Sequence, residues 1–195
     1  MSAASSWLEG VVHDPLSYGE RLERRSLDDI ELAVIHATEL PDLAMAREYG
    51  ERIHYPVSGT GNSGHFYIDR DGSLEQWVAL DRIAHHVAGH NRAAIGIELV
   101  NRGRYPHWLD SHHQDWPQPS TPAQIATLIE LLNALQRQLP GLRHIAGHDQ
   151  LDVRFVAASD APERQVRRKL DPGPDFPWDR VIKATGLTAF IDPRQ

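Results

Sequence analysis

The sequence predicts an α/β fold in a single domain, with a central mixed β-sheet flanked by α-helices on both faces. Three observations carry this prediction. Short apolar runs at residues 31–38 and 94–100 alternate with segments of helical periodicity. Residues 64–78 have the aromatic and β-branched pattern of a hairpin, which adds an antiparallel pair to the sheet. The 195 residues suffice for one core, and they contain no internal repeat and no linker.

The first part of the chain leads into the predicted sheet. Residues 1–30 are polar and turn-rich, so we expect an N-terminal extension packed on the domain. Residues 31–38, ELAVIHAT, form an apolar run with a polar end and predict a buried strand. Residues 41–53 predict a helix, because Pro41 and Asp42 are typical of helix starts.

The middle of the chain predicts a hairpin, a strand and a loop. Within residues 64–78 the pair Asp71-Gly72 supplies the turn between two strands. Residues 94–100, AIGIELV, predict a second buried strand. Residues 102–120 are polar and aromatic, and this loop is long enough to be functional.

The clearest helix covers residues 121–139. Thr121 caps its start, Pro122 occupies the first turn, and Gln124 completes a capping box. The apolar stripe of this helix consists of Ile125, Leu128, Ile129, Leu132 and Leu135. A Pro-Gly pair then ends the helix.

The last third of the chain predicts the end of a strand at residues 144–148, a long charged loop over 149–168 and a closing helix at 178–186. We place the domain at residues 31–186 and treat 187–195 as a C-terminal tail.

Composition excludes several classes of protein. The formal net charge of −7 argues against a nucleic-acid-binding face, which would be basic. The absence of cysteine excludes disulfides, thiolate metal ligands and a cysteine nucleophile. No stretch approaches the length of a membrane span, and the N-terminal residues lack the layout of a signal peptide. We therefore expect a cytoplasmic monomer; a periplasmic or secreted location is the alternative if a signal peptide has been removed.

Polar residues interrupt segments that otherwise predict buried structure. His36 lies inside the first apolar run, and Glu98 interrupts the second on the same face as Gly96, which leaves room beside the carboxylate. His148 follows a glycine at a strand end. A carboxylate in a buried strand is costly unless it is paired or lies near a cation. These positions therefore predict a functional site.

Lys169 and Asp171 stand just before a Pro-Gly turn. The chain has 18 arginines but only two lysines, so a position that needed only positive charge would be expected to hold arginine. Asp171 precedes Pro172, which favours an extended backbone. Residues two apart in an extended segment point the same way, so Lys169 and Asp171 would project together.

Two histidines and one aspartate from separate strand ends make a three-ligand site with one open position, which is the pattern of a catalytic zinc. Glu98 would then be a general base, and Lys169 a cation near a developing oxyanion. Structural explanations stay open for each residue. Buried histidines are commonly hydrogen-bonded core residues, Asp-Pro-Gly is commonly a turn, Glu98 has many arginines to pair with, and Lys169 ends a basic run.

Other motifs carry weaker signals. Residues 59–64, GTGNSG, match a dinucleotide-binding pattern, but a hairpin rather than a helix follows them. His86 and His90 have the spacing of a zinc-binding helix, but the residues between them lack glutamate and include a glycine. His112 and His113 lie in a polar loop and favour a surface position.

Six segments in this order resemble the AmpD-type zinc-dependent N-acetylmuramoyl-L-alanine amidases: VIHAT, GHFYIDRDGSLEQWV, AHHVAGHN, IGIELVN, IAGH and KLDPGPDFPW. The resemblance runs from about residue 31 to about residue 180. It implies a mixed sheet flanked by helices and one zinc ion per chain. It also implies hydrolysis of the amide between the lactyl group of N-acetylmuramic or 1,6-anhydro-N-acetylmuramic acid and L-alanine, in muropeptides or peptidoglycan, with a role in cell-wall recycling.

By position, the resemblance implies that the zinc ligands are His36, His148 and Asp171. Glu98 matches the catalytic acidic residue of the family, and Lys169 its catalytic lysine. Two alternatives stay open: a non-catalytic peptidoglycan-binding module of the same fold, and a zinc hydrolase of another amide.

The resemblance also gives two histidines on the substrate side. His86 matches a histidine near the substrate cleft, although an extra residue in AHHVAG leaves His85 as the other choice. His65 matches a frequent histidine in a strand beneath the site, in a supporting position. The loops 102–120 and 149–168 are longer than in compact family members, and we expect both to border the cleft.

Overall fold

A seven-stranded mixed sheet forms the centre of the protein, which a computed structural model describes over residues 6–192. Two further strands, β7 (Phe155–Ala157) and β8 (Gln165–Arg167), form a separate antiparallel pair. The strands of the central sheet are β1 (Val12–His13), β2 (Leu32–Ala37), β3 (Phe66–Ile68), β4 (Leu74–Gln76), β5 (Ala94–Leu99), β6 (His144–Gly147) and β9 (Thr188–Ala189). The order across the sheet is β1-β4-β3-β5-β2-β6-β9. β3 and β4 are antiparallel, and the other neighbours in the sheet are parallel. The predicted mixed sheet, with its hairpin, is confirmed.

Strand β2 lies in the middle of the sheet between two parallel neighbours, β5 and β6. All six of its residues are buried, as expected of a parallel strand covered on both faces. Ala33 and Ile35 belong to the larger hydrophobic core, whereas Leu32 and Val34 pack in a smaller cluster on the opposite face. His36 follows Val34 on that second face, which therefore carries the site.

Helices α2 (Pro122–Gln138) and α4 (Trp178–Thr185) pack into the larger core. The capping box is present: the Thr121 side chain accepts the Gln124 backbone N–H, and the Gln124 side chain accepts that of Thr121, both at 3.0 Å. The predicted stripe is buried except for Ile129, which is only partly buried, and Leu131 joins it. The helix thus shields one face of the sheet.

Helix α1 (Leu43–Gly50) packs against the other face, where Ala46 joins a cluster with Tyr67 and Trp77. Asp42 caps this helix by accepting the backbone N–H of Met45 at 2.8 Å, as its position in the sequence predicts. The helix ends before residue 53, because the chain turns after Gly50. Helices therefore cover both faces of the sheet.

Both segments outside residues 31–186 contribute to the sheet. The N-terminal segment supplies β1 and the buried side chains of Leu16, Tyr18 and Leu22. The C-terminal segment supplies β9, and Leu187 before it is buried. The division into an extension, a domain and a tail stays a prediction; the ends of the first and last segments lie outside the described residues.

The prediction of a long charged loop at residues 149–168 is partly wrong. The short helix α3 (His148–Leu151) and the hairpin β7–β8 interrupt it. The hairpin escaped prediction because its residues are exposed or half-buried apart from Val166, so the apolar alternation of a strand is nearly absent. Within residues 6–192, no helix has the length and apolar character needed to cross a membrane.

Candidate active site

Strand register places the site residues side by side at one end of the sheet. Glu98 on β5 is the partner of His36 on β2, and Tyr67 on β3 is the partner of Glu98. Ile35 pairs with Gly147, the last residue of β6, so His148 emerges next to His36. The carboxyl ends of parallel strands thus bring these side chains into one row, which is where open α/β sheets bind ligands.

His36, His148 and Asp171, called the buried triad below, converge on one point. Nδ1 of His36 lies 3.0 Å from Nδ1 of His148 and 3.2 Å from Oδ2 of Asp171. Nδ1 of His148 lies 3.0 Å from the same Oδ2. All three residues are buried, and within residues 6–192 Oδ1 of Asp171 has no hydrogen-bond partner. The structure therefore brings the three predicted ligands together.

The triad fits a zinc ion. Ligand atoms around a tetrahedral zinc, with bonds of about 2.0–2.1 Å, are roughly 3.3–3.4 Å apart, slightly more than the separations found here. Burial lowers the pKa of His36 to about 4, and His148 adds to this effect, so His36 offers a lone pair at neutral pH. Burial acts to raise the pKa of Asp171, but His148 and Lys169 outweigh it and hold the pKa well below its usual range. Two imidazole nitrogens and a carboxylate are donors that zinc prefers.

The turn after Asp171 fixes its direction. The backbone N–H of Gly173 donates to the carbonyl of Leu170 at 2.9 Å, and Gly173 has a φ of +104°. The backbone N–H of Asp149 donates to the carbonyl of Asp171 at 2.9 Å, which ties this segment to α3. A Cβ on Gly173 would lie 2.4 Å from Nε1 of Trp116. Only glycine combines this backbone angle with this contact.

His86 supports the triad from the second face of the sheet. Its Nδ1 lies 2.9 Å from Nε2 of His36, the ring nitrogen that does not face the triad. A ligating histidine commonly has such a partner, which fixes its tautomer. The room beside Glu98 that Gly96 was expected to leave is taken by His86, since a Cβ on Gly96 would lie 2.7 Å from Cγ of that ring. His85 instead contacts Tyr55, with ring centroids 4.9 Å apart.

His65 lies behind His86 and is fully buried. Its Nδ1 accepts the backbone N–H of Gly96 at 3.0 Å, and its Nε2 lies 2.8 Å from Nη2 of Arg25 and 3.1 Å from the carbonyl of Arg82. Burial, with the charge of Arg25 adding to it, holds its pKa well below the usual range. This position favours a supporting role for His65 rather than a substrate contact.

Glu98 carries a carboxyl group whose pKa lies near neutral pH. Burial raises its pKa to about 8, and the negative charge of Asp171 adds to this effect. Its Oε1 lies 3.9 Å from Nδ1 of His36, and within residues 6–192 no arginine forms an ion pair with it. Gly64 makes room for it, because a Cβ there would lie 2.8 Å from Cγ of Glu98. A structural ion pair with arginine therefore does not explain this residue.

Lys169 is half-buried and lines the same cavity as the triad and Glu98. In the described part of the chain no carboxylate lies within 4.0 Å of its ammonium group. Its charge acts on the triad and on Glu98, since it lowers the pKa of both Asp171 and Glu98. The basic-run explanation is therefore incomplete: this lysine faces the site.

A buried ion pair that the sequence did not reveal holds the chain before Lys169. Nε and Nη2 of Arg104 donate to the two carboxylate oxygens of Glu39 at 2.8 and 2.7 Å. The guanidinium also donates to the carbonyls of Arg167 and Arg168, at 3.0 and 3.2 Å. Arg104 thereby ties the end of β2, the 102–120 loop and the segment of Lys169 together.

The cavity over the triad has a volume of about 430 Å³, within the usual range for small-ligand sites. Its lining also includes Tyr49, Tyr55 and Asn62. A second cavity of about 370 Å³ adjoins it at Lys169 and is bounded by Trp108 and other residues. Trp108 belongs to the 102–120 loop and Arg168 to the 149–168 segment, so both long segments border the cleft as expected.

A buried His-His-Asp triad beside a carboxyl group of raised pKa, at the strand ends of a mixed α/β sheet, defines a candidate metal-dependent hydrolase. The family model of N-acetylmuramoyl-L-alanine amidases matches residues 26–174, and the chain belongs to this family.

Known proteins agree with this assignment. The chain is 36% identical over 106 residues to the N-acetylmuramoyl-L-alanine amidase AmiD of Escherichia coli (strain K12), a match that covers 54% of the chain and 32% of AmiD. It is 32% identical over 127 residues to the 1,6-anhydro-N-acetylmuramyl-L-alanine amidase AmpD of Citrobacter freundii, covering 60% of the chain and 54% of AmpD. A crystal structure of a selenomethionine AmpD derivative has a TM-score of 0.62 and 26% identity, over 92% of this chain and 96% of that one. The matches span between 32% and 60% of the length of the curated relatives.

Proposed function

We propose that the chain is a zinc-dependent amidase that hydrolyses the amide bond between the lactyl group of N-acetylmuramic or 1,6-anhydro-N-acetylmuramic acid and L-alanine. The observation that carries this proposal is the buried triad, with separations of 3.0–3.2 Å, which shares one cavity with Glu98 and Lys169. Membership of the amidase family supports the same reaction.

Nδ1 of His36, Nδ1 of His148 and Oδ2 of Asp171 are the atoms that would hold the zinc ion. When bound there, zinc supplies Lewis acidity, which polarises a carbonyl group and acidifies a water molecule. His86 would keep the proton of His36 on Nε2, so that Nδ1 stays free to ligate. Attraction by the cation would also lower the pKa of Glu98 from about 8, so that more of it is ionised at neutral pH.

Glu98 moves the proton in this proposal. Its carboxylate accepts a proton from the attacking water while the water oxygen bonds to the amide carbon. The same carboxyl group then gives the proton to the nitrogen of L-alanine as the C–N bond breaks. A group whose pKa lies near neutral pH serves both steps, because it is neither too strong an acid to accept nor too weak to donate.

Lys169 stabilises the negative charge that develops on the carbonyl oxygen. Lys169 lines the cavity, and among residues 6–192 no carboxylate lies within salt-bridge distance of its ammonium group. Arg104 supports it by fixing the two carbonyls that precede it in the chain. Preorganised charge of this kind acts on the transition state more than on the substrate.

We further propose that the substrate is a 1,6-anhydromuropeptide and that the enzyme serves cell-wall recycling in the cytoplasm as a monomer. The support is the similarity to two amidases named for the 1,6-anhydro substrate. Intact peptidoglycan as substrate, in a periplasmic or secreted location, is the alternative. The acidic net charge of −7 favours neither nucleic acid nor another polyanion as partner.

Mass spectrometry of the products tests the proposal. The zinc-loaded protein is mixed with anhydromuropeptides and, separately, with intact sacculi, and release of free stem peptide from the former is expected. With full zinc occupancy, Glu98→Gln should slow release about 10²–10⁴-fold and Lys169→Ala about 10²–10³-fold. Wild-type rates in both variants would contradict these roles. Binding without cleavage would favour a binding module, and cleavage of unrelated amides would favour another hydrolase.

A further inference from the structure

The 102–120 loop carries a second group of metal-ligand side chains, His107, Asp110 and His113. Each offers one ligand atom, and the three atoms lie within 4.8 Å of one another. Oδ1 of Asp110 lies 3.0 Å from Nδ1 of His113, and the rings of His107 and His113 have centroids 4.4 Å apart. Other residues line the two cavities, so this group is separate from the buried triad.

The backbone explains why these side chains converge. The N–H of His107 donates to the carbonyl of Arg104 at 2.7 Å, that of Asp110 to His107 at 3.0 Å, and that of His113 to Asp110 at 3.2 Å. Each of these bonds joins residues three apart and closes one turn, so three turns follow one another along this segment. The three turns bring positions 107, 110 and 113 close together, and these three residues are called the ridge below.

Further hydrogen bonds hold the backbone of the ridge in place. The N–H of Ser159 donates to the carbonyl of Leu109 at 2.8 Å, and the N–H of Ser111 donates to a carboxylate oxygen of Asp160 at 2.7 Å. Nε2 of Gln114 donates to the carbonyl of Asp110 at 2.7 Å. Little backbone entropy remains to be lost when a ligand binds, because the turns are already fixed.

We propose that His107, Asp110 and His113 form a second metal site, open to solvent, which binds Zn²⁺ or a similar borderline cation such as Cu²⁺ or Ni²⁺. Two imidazoles and one carboxylate are donors that these ions prefer, and water would complete the coordination. Oδ1 of Asp110 lies 3.0 Å from Nδ1 of His113 and accepts the backbone N–H of His112 at 2.8 Å, so the carboxylate is held beside one of the imidazoles.

The loop site binds more weakly than the buried triad. Its two histidines are exposed, so their side chains lose rotamer freedom when they close on an ion. In the buried triad the atoms already lie within 3.2 Å. Zinc should therefore fill the triad first and the loop second. Trp108 and Leu109 stand between His107 and Asp110 in the sequence and line the second cavity. An ion bound to the ridge would therefore stiffen that cavity wall.

Equilibrium dialysis against buffered free zinc counts the ions bound to the full chain. We expect two zinc ions per wild-type chain at saturation, and one in His113→Ala and in Asp110→Asn. The matched control is His112→Ala, which removes the adjacent histidine, 69% exposed, that does not belong to the group. This variant should still bind two ions. Melting temperatures of all variants check that the fold is unchanged.

His36→Ala completes the test. This variant should bind one ion per chain, because it loses the ion of the buried triad and keeps the ion that depends on His113. One ion per wild-type chain at saturation would overturn the proposal. So would equal losses in His112→Ala and His113→Ala, since they would mean unspecific binding to exposed histidines. The count does not depend on catalysis, and a protein without amidase activity would leave this test intact.

Discussion

Replacing Gly96 by alanine tests how the sheet seats His86 against the triad. A Cβ at this position would lie 2.7 Å from Cγ of His86 and 2.8 Å from its Nδ1, closer than real Cβ atoms approach other atoms. The ring has to move, and with it the Nδ1 that lies 2.9 Å from Nε2 of His36. Gly96→Ala therefore perturbs His36, a proposed metal ligand, without replacing it.

The structure gives this substitution two separate effects. Overpacking a close-packed site lowers the free energy of unfolding by about 1–3 kcal/mol. Loss of the partner that orients a ligating histidine weakens metal binding roughly 10–100-fold. That loss of affinity corresponds to about 1.4–2.8 kcal/mol of binding free energy. The first effect appears in the metal-free protein and the second only when zinc is present.

Urea denaturation of the metal-free protein measures the first effect, and competition with a chromophoric chelator measures the second. Gly19→Ala is the matched control, because a Cβ on Gly19 would have nothing within 4 Å. In a His86→Ala background, Gly96→Ala should instead raise the free energy of unfolding. The ring is then absent, and alanine in a strand is about 0.5–1 kcal/mol more stabilising than glycine. Equal destabilisation in both backgrounds would refute the reasoning, because His86 would then not be the cause.

Three further predictions concern stability. In the metal-free protein the pKa of Glu98, raised to about 8 from 4.5, makes the wild type lose stability as the pH rises from about 4.5 to about 8. Glu98→Gln should remove that loss. Urea denaturation at several pH values measures the free energy of unfolding of both proteins, and the same pH dependence in both would contradict this prediction. A chelator should lower the melting temperature, because metal binding contributes to folding free energy; an unchanged value would count against a triad ion. Arg104→Ala should lower the free energy of unfolding by about 3–5 kcal/mol, because it leaves Glu39 buried without its partner. Glu39→Gln together with Arg104→Met should restore part of that stability, and no recovery would contradict the ion-pair explanation.

The sequence predicts those parts of the fold whose signal is local. Strand β2 is buried on both faces, so all of its residues except His36 are apolar, and this short apolar run indicates the strand. Thr121 and Gln124 reveal a helix start because the capping box lies within four residues. The hairpin at residues 155–167 has no such signal, since its side chains mostly face solvent.

The candidate site is predictable where burial makes a residue costly, or where composition makes a residue unusual, as at Lys169. His36 and Glu98 stand out because a polar group inside an apolar strand needs a reason. The Glu39–Arg104 pair joins residues 65 apart in the sequence, and nothing distinguishes this arginine from the other arginines of the chain. The contact between His86 and His36 depends on the fold of a loop, which is why the segment AHHVAG left two histidines open.

The buried triad also explains why these costly residues stay together. Nδ1 of His36 and Nδ1 of His148 both face Oδ2 of Asp171, and one carboxylate oxygen cannot fully satisfy two ring nitrogens that are themselves only 3.0 Å apart. Oδ1 of Asp171 is buried with no partner in the described part of the chain. Hydrogen bonding alone thus leaves the group unsatisfied in a core where such deficits cost about 1–3 kcal/mol each. A divalent cation would accept all three lone pairs at once, so the arrangement that weakens the metal-free core would, with a metal bound, join β2, the start of α3 and the segment of Lys169.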